Sequence, residues 1–257
     1  PSCFLLSTPS PGPVPPSYPR PYLVGPRLVR SPSLVSTCRP TVPDSAALPS
    51  ILRQSPAFAA VVGVAVHISC PNVANRGLVF ACDPLASAKV VGLVRESLPS
   101  HVPIFAKLSP DVTDIIEIAG ACVNAGADGL TMINTLLGMV IDTERLRPQV
   151  EGVTGGLSGP AIRPIAVRVI WQVRAAMLDG RIPVVPIIGV GGVRTGDDAL
   201  QLVAAGASAI QVGTATFNDP ESPIRVNREL AATLQNKGFA RFSDVVGIAH
   251  NRLDPAR

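Results

Sequence analysis

From residue 55 onward, short apolar runs alternate with segments of helical period. The runs at 61–68, 102–107, 129–133, 184–190 and 208–212 read as strands. Between them the spacing predicts a helix over 84–98. A second follows with Ile115, Ile118, Ala119 and Cys122 on one face at i, i+3, i+4, i+7, ended by Gly126. A third carries Ile165, Val169 and Val173 on its buried side. Thr195 and Asp198 form a capping box for a fourth, closed by Gly206. Residues 141–154 are a long polar excursion. Strand and helix in alternation predict a parallel sheet or barrel. An internal echo supports this: Ala125-Gly126-Ala127-Asp128-Gly129-Leu130 resembles Ala205-Gly206-Ala207-Ser208-Ala209-Ile210, each a glycine-ended helix turning into a strand.

Residues 1–54 are a different material. They are dense in Pro and Ser, as in Ser10-Pro11-Gly12-Pro13-Val14-Pro15-Pro16, and show no helix or strand period. Such a segment cannot bury enough apolar surface to offset its ordering entropy, so a disordered or non-native tail is expected over 1–54. The acid-poor, Arg- and Ser-containing character is that of a transit peptide, but the prolines forbid the amphipathic helix. Residues 55–257 then form a partial α/β barrel. About five βα units are countable there, where a TIM (β/α)8-type barrel needs eight. The chain begins at Pro1 rather than Met and is read as a fragment.

Charge is unevenly placed. Residues 1–54 hold five Arg and one Asp, whereas residues 55–257 hold 17 basic and 17 acidic residues. The barrel portion is thus neutral, and the overall +4 gives no basic footprint for nucleic acid. No apolar stretch reaches the roughly 18 residues of a membrane span. Five cysteines without paired spacing suit a reducing cytoplasm better than a disulfide scaffold.

The runs end in clusters with chemical potential: His67-Ile68-Ser69-Cys70-Pro71-Asn72, Lys107, Asn134-Thr135, Gly191-Gly192 and Gly213-Thr214. In a parallel barrel these strand ends meet on one face, the one that carries the chemistry. The two glycine turns follow the last two strands and precede helices. Peptide N–H groups there bind phosphate, although tight-turn glycines need no ligand. Two such turns on consecutive final strands favour phosphate. Cys70 is either a buried structural thiol or a general base. Lys107 either reaches solvent or sets positive charge against an electron-rich ring. Asn134-Thr135 is a plain strand end or an amide–hydroxyl pair that reads a polar substrate. His67 within a strand is more often packed than catalytic.

Taken in order, six strings resemble the dihydroorotate dehydrogenases, class 1, closest to the NAD-linked (class 1B) catalytic subunit. They are Ser69-Cys70-Pro71-Asn72-Val73; Ala106-Lys107-Leu108-Ser109-Pro110-Asp111; Gly126 to Thr135; Thr154-Gly155-Gly156-Leu157-Ser158-Gly159-Pro160; Ile188-Gly189-Val190-Gly191-Gly192-Val193; and Gly206-Ala207-Ser208-Ala209 with Val212-Gly213-Thr214. The resemblance implies an FMN enzyme that oxidises dihydroorotate to orotate in pyrimidine biosynthesis. It implies Cys70 as catalytic base, Lys107 beside the flavin ring and Ile133 as a backbone flavin contact. Asn134 and Thr135 would bind orotate, and Gly159, Gly191, Gly192, Gly213 and Thr214 would bind FMN. No metal is implied. An electron-transfer subunit carrying FAD and an iron–sulfur cluster, and a homo-oligomer, are the partners it suggests. The scattered cysteines here cannot hold such a cluster themselves.

Two departures stand out. His67 replaces the family's Asn, which contacts flavin and substrate, and an imidazole donates or accepts only by tautomer. The family's first barrel strands are also missing from residues 55–257, leaving open sheet edges and an exposed core. The competing expectation is therefore a non-catalytic barrel remnant that binds a phosphate ligand or nothing.

Overall fold

A computed structural model of the chain describes residues 5–7, 33–37, 58, 61–68, 82–150 and 152–253. For 5–7, 33–37 and 252–253 it describes the backbone alone. The strands are β1 (Leu5–Ser7), β2 (Ser33–Thr37), β3 (Val61–His67), β4 (Ile104–Leu108), β5 (Gly129–Met132), β6 (Leu136–Gly138), β7 (Ile141–Asp142), β8 (Arg147–Pro148), β9 (Gly155–Leu157), β10 (Ile187–Val190) and β11 (Ala209–Gln211). The helices are α1 (Pro84–Ser97), α2 (Ile115–Asn124), α3 (Arg163–Leu178), α4 (Gly196–Ala205) and α5 (Ser222–Asn236).

Seven strands form one parallel sheet in the order β1-β2-β3-β4-β5-β10-β11. Helices α1 to α4 are the crossovers along β3-β4-β5-β10-β11. Among the described residues nothing joins β1 to β11, so the sheet is an open, incomplete barrel. Five of its strands are those expected from the apolar runs, within three residues at either end. The other two lie before residue 55, so the count of five within 55–257 stands, and they correct the reading of 1–54 as strandless. Leu5-Leu6 and Leu34-Val35 are apolar pairs too short to show a period, yet their backbones continue the ladder beyond β3. The rest of 1–54, and with it the disorder expectation, lies outside the described residues.

Local chemistry sets the helix ends. Asp83 and Asp114 cap α1 and α2, Asp114 Oδ1 accepting from the N–H of Ile116 at 2.8 Å and of Glu117 at 3.2 Å. The Thr195–Asp198 capping box is present as expected. The internal echo is also physical. Ala127 N–H donates to Cys122 O, as Ala207 N–H does to Leu202 O. Asp128 N–H donates to Ile104 O, and Ser208 N–H to Ile187 O, stitching each turn to the preceding sheet strand. Gly126 and Gly206 adopt φ of +105° and +130°, conformations that L side chains rarely reach.

The core lies between the sheet's convex face and the helices. Ile104, Ala106 and Leu108 of β4 are fully buried, as are Leu130 and Met132 of β5. Ala166, Val169, Ile170 and Val173 pack against them from α3, with Ile165, expected in that face, at its half-buried margin. Gly189 lets the sheet approach the helices closely: a Cβ there would lie 2.9 Å from Ala207 Cβ and 3.1 Å from Leu202 Cδ2. The polar excursion is not irregular. An antiparallel ribbon, β6 with β9, flanks it, and within it β7 pairs antiparallel with β8. The N–H of Leu137 donates to Asp111 Oδ2 at 2.8 Å, tying the first ribbon to the loop after β4.

Leu202 is fully buried between α4 and β10. Leu202→Ala should cost about 2–5 kcal/mol in urea unfolding. Phe217→Ala, at a side chain 88% exposed, should stay within about 0.5 kcal/mol of the parent.

Candidate active site

Parallel register carries the site. In the ladder His67 pairs with Lys107, Lys107 with Thr131, Thr131 with Ile188, and Ile188 with Ala209. Register partners in a parallel sheet share a face, so these five form one row across it. Their strand neighbours Val66, Ala106, Leu108, Leu130 and Ile187 are buried toward the helices. The row therefore stands on the opposite, concave face, near the C-terminal strand ends. His67 and Lys107 are half-buried and neighbours on strands about 4.8 Å apart. Burial, with the Lys107 ammonium adding to it, pushes the His67 imidazole down to a pKa of about 4. It is neutral at pH 7. Thr131 is buried, and among the described residues its hydroxyl finds no hydrogen-bond partner.

The next residues of β5 turn across the strand ends. Ile133 is buried and its N–H donates to Val190 O at 2.8 Å. The Met132–Ile133 peptide is cis. Asn134 N–H donates to Leu108 O at 2.9 Å, and Thr135 N–H donates to Asn134 Oδ1 at 2.9 Å. The Thr135 side chain lies against Gly156 of β9, where a Cβ would collide with it.

Three of the glycines pack together. Gly191 and Gly192 have φ of +140° and +72°. A Cβ on Gly192 would sit 2.8 Å from both Gly159 O and Arg163 Cβ, and one on Gly191 would sit 2.8 Å from Ala166 Cβ. Gly213 and Thr214 are exposed at the end of the adjacent strand. Among the described residues, no acceptor takes the N–H of Gly192, Gly213 or Thr214. A Cβ on Gly159 or Gly213 would meet nothing within 4 Å. Unpaired peptide N–H groups facing open space are what a phosphate-bearing ligand requires.

The expected helix contribution to that site changes. The N–H of Gly196, at the start of α4, donates to Glu229 Oε2 at 2.7 Å, and that of Asp198 to Thr195 Oγ1 at 3.2 Å. Hydrogen bonding from Arg225, then from the Gly196 N–H, holds the Glu229 carboxyl below its usual range. The start of α4 is thus already occupied by a carboxylate and a hydroxyl. After Gly213 comes a short 3-10 turn (Thr214–Phe217), with α5 beginning only at Ser222. The loop peptides, rather than helix ends, are left for an anion.

Cys70, with Ser69, Pro71 and Asn72, lies outside the described residues. The two described cysteines are unsuited to be nucleophiles. Burial pushes the Cys122 thiol up to about 12. Cys82 is exposed, and partial burial followed by the Asp111 charge also raises it. Among the described residues no cluster of three His, Cys, Asp or Glu side chains could hold a metal, and no helix is long and apolar enough to cross a membrane.

Residues 50–234 match the family model of dihydroorotate dehydrogenase. The chain belongs to the dihydroorotate dehydrogenase family. It is 46% identical over 221 residues to the dihydroorotate dehydrogenase B (NAD(+)) catalytic subunit of Geotalea daltonii, covering 86% of this chain and 69% of that one. It is 49% identical over 187 residues to the same subunit of Citrifermentans bemidjiense, covering 73% of this chain and 59% of that one. Among solved structures, the crystal structure of DHODH in complex with ferulenol from Eimeria tenella superposes with a TM-score of 0.67 at 25% identity. That match covers 88% of this chain and 64% of that one. The chain therefore spans about two thirds of the length of these dehydrogenases.

Sequence reasoning passed over two features of the site. Thr131 looks like one more residue of an apolar strand. Arg163 starts α3, and its pairing with Asp198 joins segments far apart in the chain, beyond the reach of local periodicity.

The His67 environment yields a stability prediction. The unfolded imidazole titrates near 6.5 and the folded one near 4, so between those values the unfolded chain binds more protons. Stability should fall as pH drops from 6.5 toward 4. Urea unfolding at pH 7 and pH 5 should show a larger loss for the parent than for His67→Gln; equal losses would contradict a buried neutral imidazole.

Proposed function

We propose that the chain is the catalytic subunit of an NAD-linked dihydroorotate dehydrogenase, oxidising dihydroorotate to orotate with FMN in de novo pyrimidine (UMP) biosynthesis. The observation that carries this reading is the row of His67 and Lys107 beside Asn134 and the unpaired glycine-loop N–H groups, in a chain of this family. Those loops fit the phosphate of FMN: among the described residues the N–H groups of Gly192, Gly213 and Thr214 have no acceptor, and a Cβ on Gly159 or Gly213 would meet nothing within 4 Å.

Each residue has a role in the chemistry. Cys70, as thiolate, removes the proton from C5 of dihydroorotate. FMN, when bound, supplies the acceptor for the hydride that leaves C6. Lys107 holds positive charge where negative charge develops during that transfer. Asn134 and Thr135 hold the polar edges of the substrate. The Asn134 carbonyl oxygen already accepts the Thr135 N–H, which fixes the direction of its amide. Ile133 presents its backbone to the flavin. Gly159, Gly191, Gly192, Gly213 and Thr214 bind FMN, the last four around its phosphate. His67 faces both ligands as a neutral ring, one of whose nitrogens is a donor and the other an acceptor.

The electron acceptor is a partner subunit carrying FAD and an iron–sulfur cluster, assembled on a homo-oligomer of this chain in the cytoplasm. The names of the related NAD(+)-linked catalytic subunits support the existence of a second subunit.

Dihydroorotate oxidation should rise on the alkaline side, because a free thiol ionises near pH 8.5. Cys70→Ser should lower kcat by on the order of a hundredfold and move that limb to higher pH. A rate flat from pH 6 to 10 overturns Cys70 as base. His67→Asn should tighten orotate binding in a fluorescence titration, and an unchanged Kd removes His67 from the substrate site.

A further inference from the structure

We propose that the Arg163–Asp198 ion pair is the positioning element that shapes the 191–195 loop for phosphate, an inference resting on the reading above that this loop binds FMN. Arg163 Nη1 lies 2.6 Å from Asp198 Oδ1 and donates to the Gly192 carbonyl at 3.5 Å. The other carboxylate oxygen, Asp198 Oδ2, accepts from the N–H of Arg194 at 2.9 Å and of Thr195 at 3.0 Å. One buried carboxylate thus holds the far end of the loop with one oxygen and the start of α3 with the other. The two side chains are only 26% and 12% exposed, so solvent and salt screen the pair weakly.

The geometry explains why the loop needs bracing. Gly191 and Gly192 both have positive φ, and glycine is the residue with the most backbone freedom to lose. Gly192 is wedged against Gly159 O and the Arg163 backbone, with no room for a Cβ. In a trans peptide the C=O and N–H point in opposite directions. A Gly192 carbonyl turned toward Arg163 therefore sends the following N–H, that of Val193, away from it. Among the described residues that N–H has no acceptor. Arg163 and Asp198 act behind the loop: they hold its peptides in a phosphate-ready arrangement, and preorganisation of this kind reduces the ordering cost of binding.

A positioning pair and a lone attractive charge make opposite predictions for Asp198. If Arg163 merely attracted phosphate, removing the carboxylate would free its charge and tighten FMN. If the pair positions the loop, removing either partner weakens FMN.

The test is fluorescence titration of the full chain and its variants with FMN and with riboflavin, which lacks the phosphate. Arg163→Met and Asp198→Asn should each weaken FMN binding about tenfold, the size of one charge-assisted hydrogen bond, while riboflavin affinity changes less than about twofold. Circular dichroism and thermal melting identify variants that keep the fold. Arg163→Lys, which keeps the charge but not the fork, should fall between parent and Arg163→Met and decides the matter if the harsher change does not fold. Parallel losses for both flavins, or tighter FMN binding by Asp198→Asn, overturn the inference. A parent chain that holds FMN no better than riboflavin overturns the phosphate-site reading, and this inference with it. A parent that discriminates, with variants that discriminate equally well, overturns the inference alone.

Discussion

Register across β3, β4, β5 and β10 is the constraint on which the site depends. Side chains alternate with a period of two, so a slip of one residue would send His67, Lys107 and Thr131 into the helix layer and drive Val66, Ala106 and Leu130 out of it. The register is held by the convex face, where Ile104, Ala106, Leu108, Leu130, Met132 and Ile187 are almost wholly buried under α1 to α4. Burying each of the Ile, Leu and Met side chains among them contributes about 1.5–3 kcal/mol. The packing side of the sheet thereby decides what the chemical side presents. Gly189 belongs to the same design: its missing Cβ lets Leu202 and Ala207 close on β10, which brings the glycine loop after β10 to the start of α3.

Charge is segregated around that loop. Carboxylates of Asp198 and Glu229 take the N–H groups of Arg194, Thr195 and Gly196. Arg225 pairs with Glu229 at 2.9 Å and with Asp219 at 2.8 Å, and its donation to Arg194 O at 3.1 Å ties α5 to the loop before α4. Asp198, Asp219 and Glu229 are each matched by an arginine, and among the described residues the N–H groups of Gly192, Gly213 and Thr214 stay unmatched. An anion can approach there without meeting an uncompensated carboxylate. On the neighbouring strands the neutral His67 leaves the Lys107 cation without a second positive charge beside it.

The periodic parts of this architecture were legible in the sequence. The strand from Gly129, the face of Ile115, Ile118, Ala119 and Cys122, and the Thr195–Asp198 box follow from local pattern, because burial and capping are local demands. The strands at Leu5–Ser7 and Ser33–Thr37 were not, since three and five residues, each with only two adjacent apolar ones, leave no period to detect. The ribbons within 136–157 were hidden for a related reason: their exposed strands lack the apolar alternation of a buried face. For the site, the strand-end clusters could be read as one face and the paired glycine turns as favouring phosphate, while family resemblance was needed to suggest roles for Cys70, Lys107, Asn134 and Thr135. The Arg163–Asp198 tie was invisible, because a long-range ion pair leaves no mark on local spacing. The occupied start of α4 was equally hidden, its acceptor Glu229 coming from another helix.

The central claim is that separate strand ends present a cation, an amide and bare peptides to a single flavin mononucleotide that dihydroorotate can reach. Anaerobic titration of the purified, FMN-reconstituted chain with dihydroorotate tests it most directly. The account predicts a yellow protein whose flavin absorbance bleaches in proportion to added dihydroorotate. A protein that takes up no FMN, or holds FMN whose spectrum dihydroorotate leaves unchanged, would contradict it.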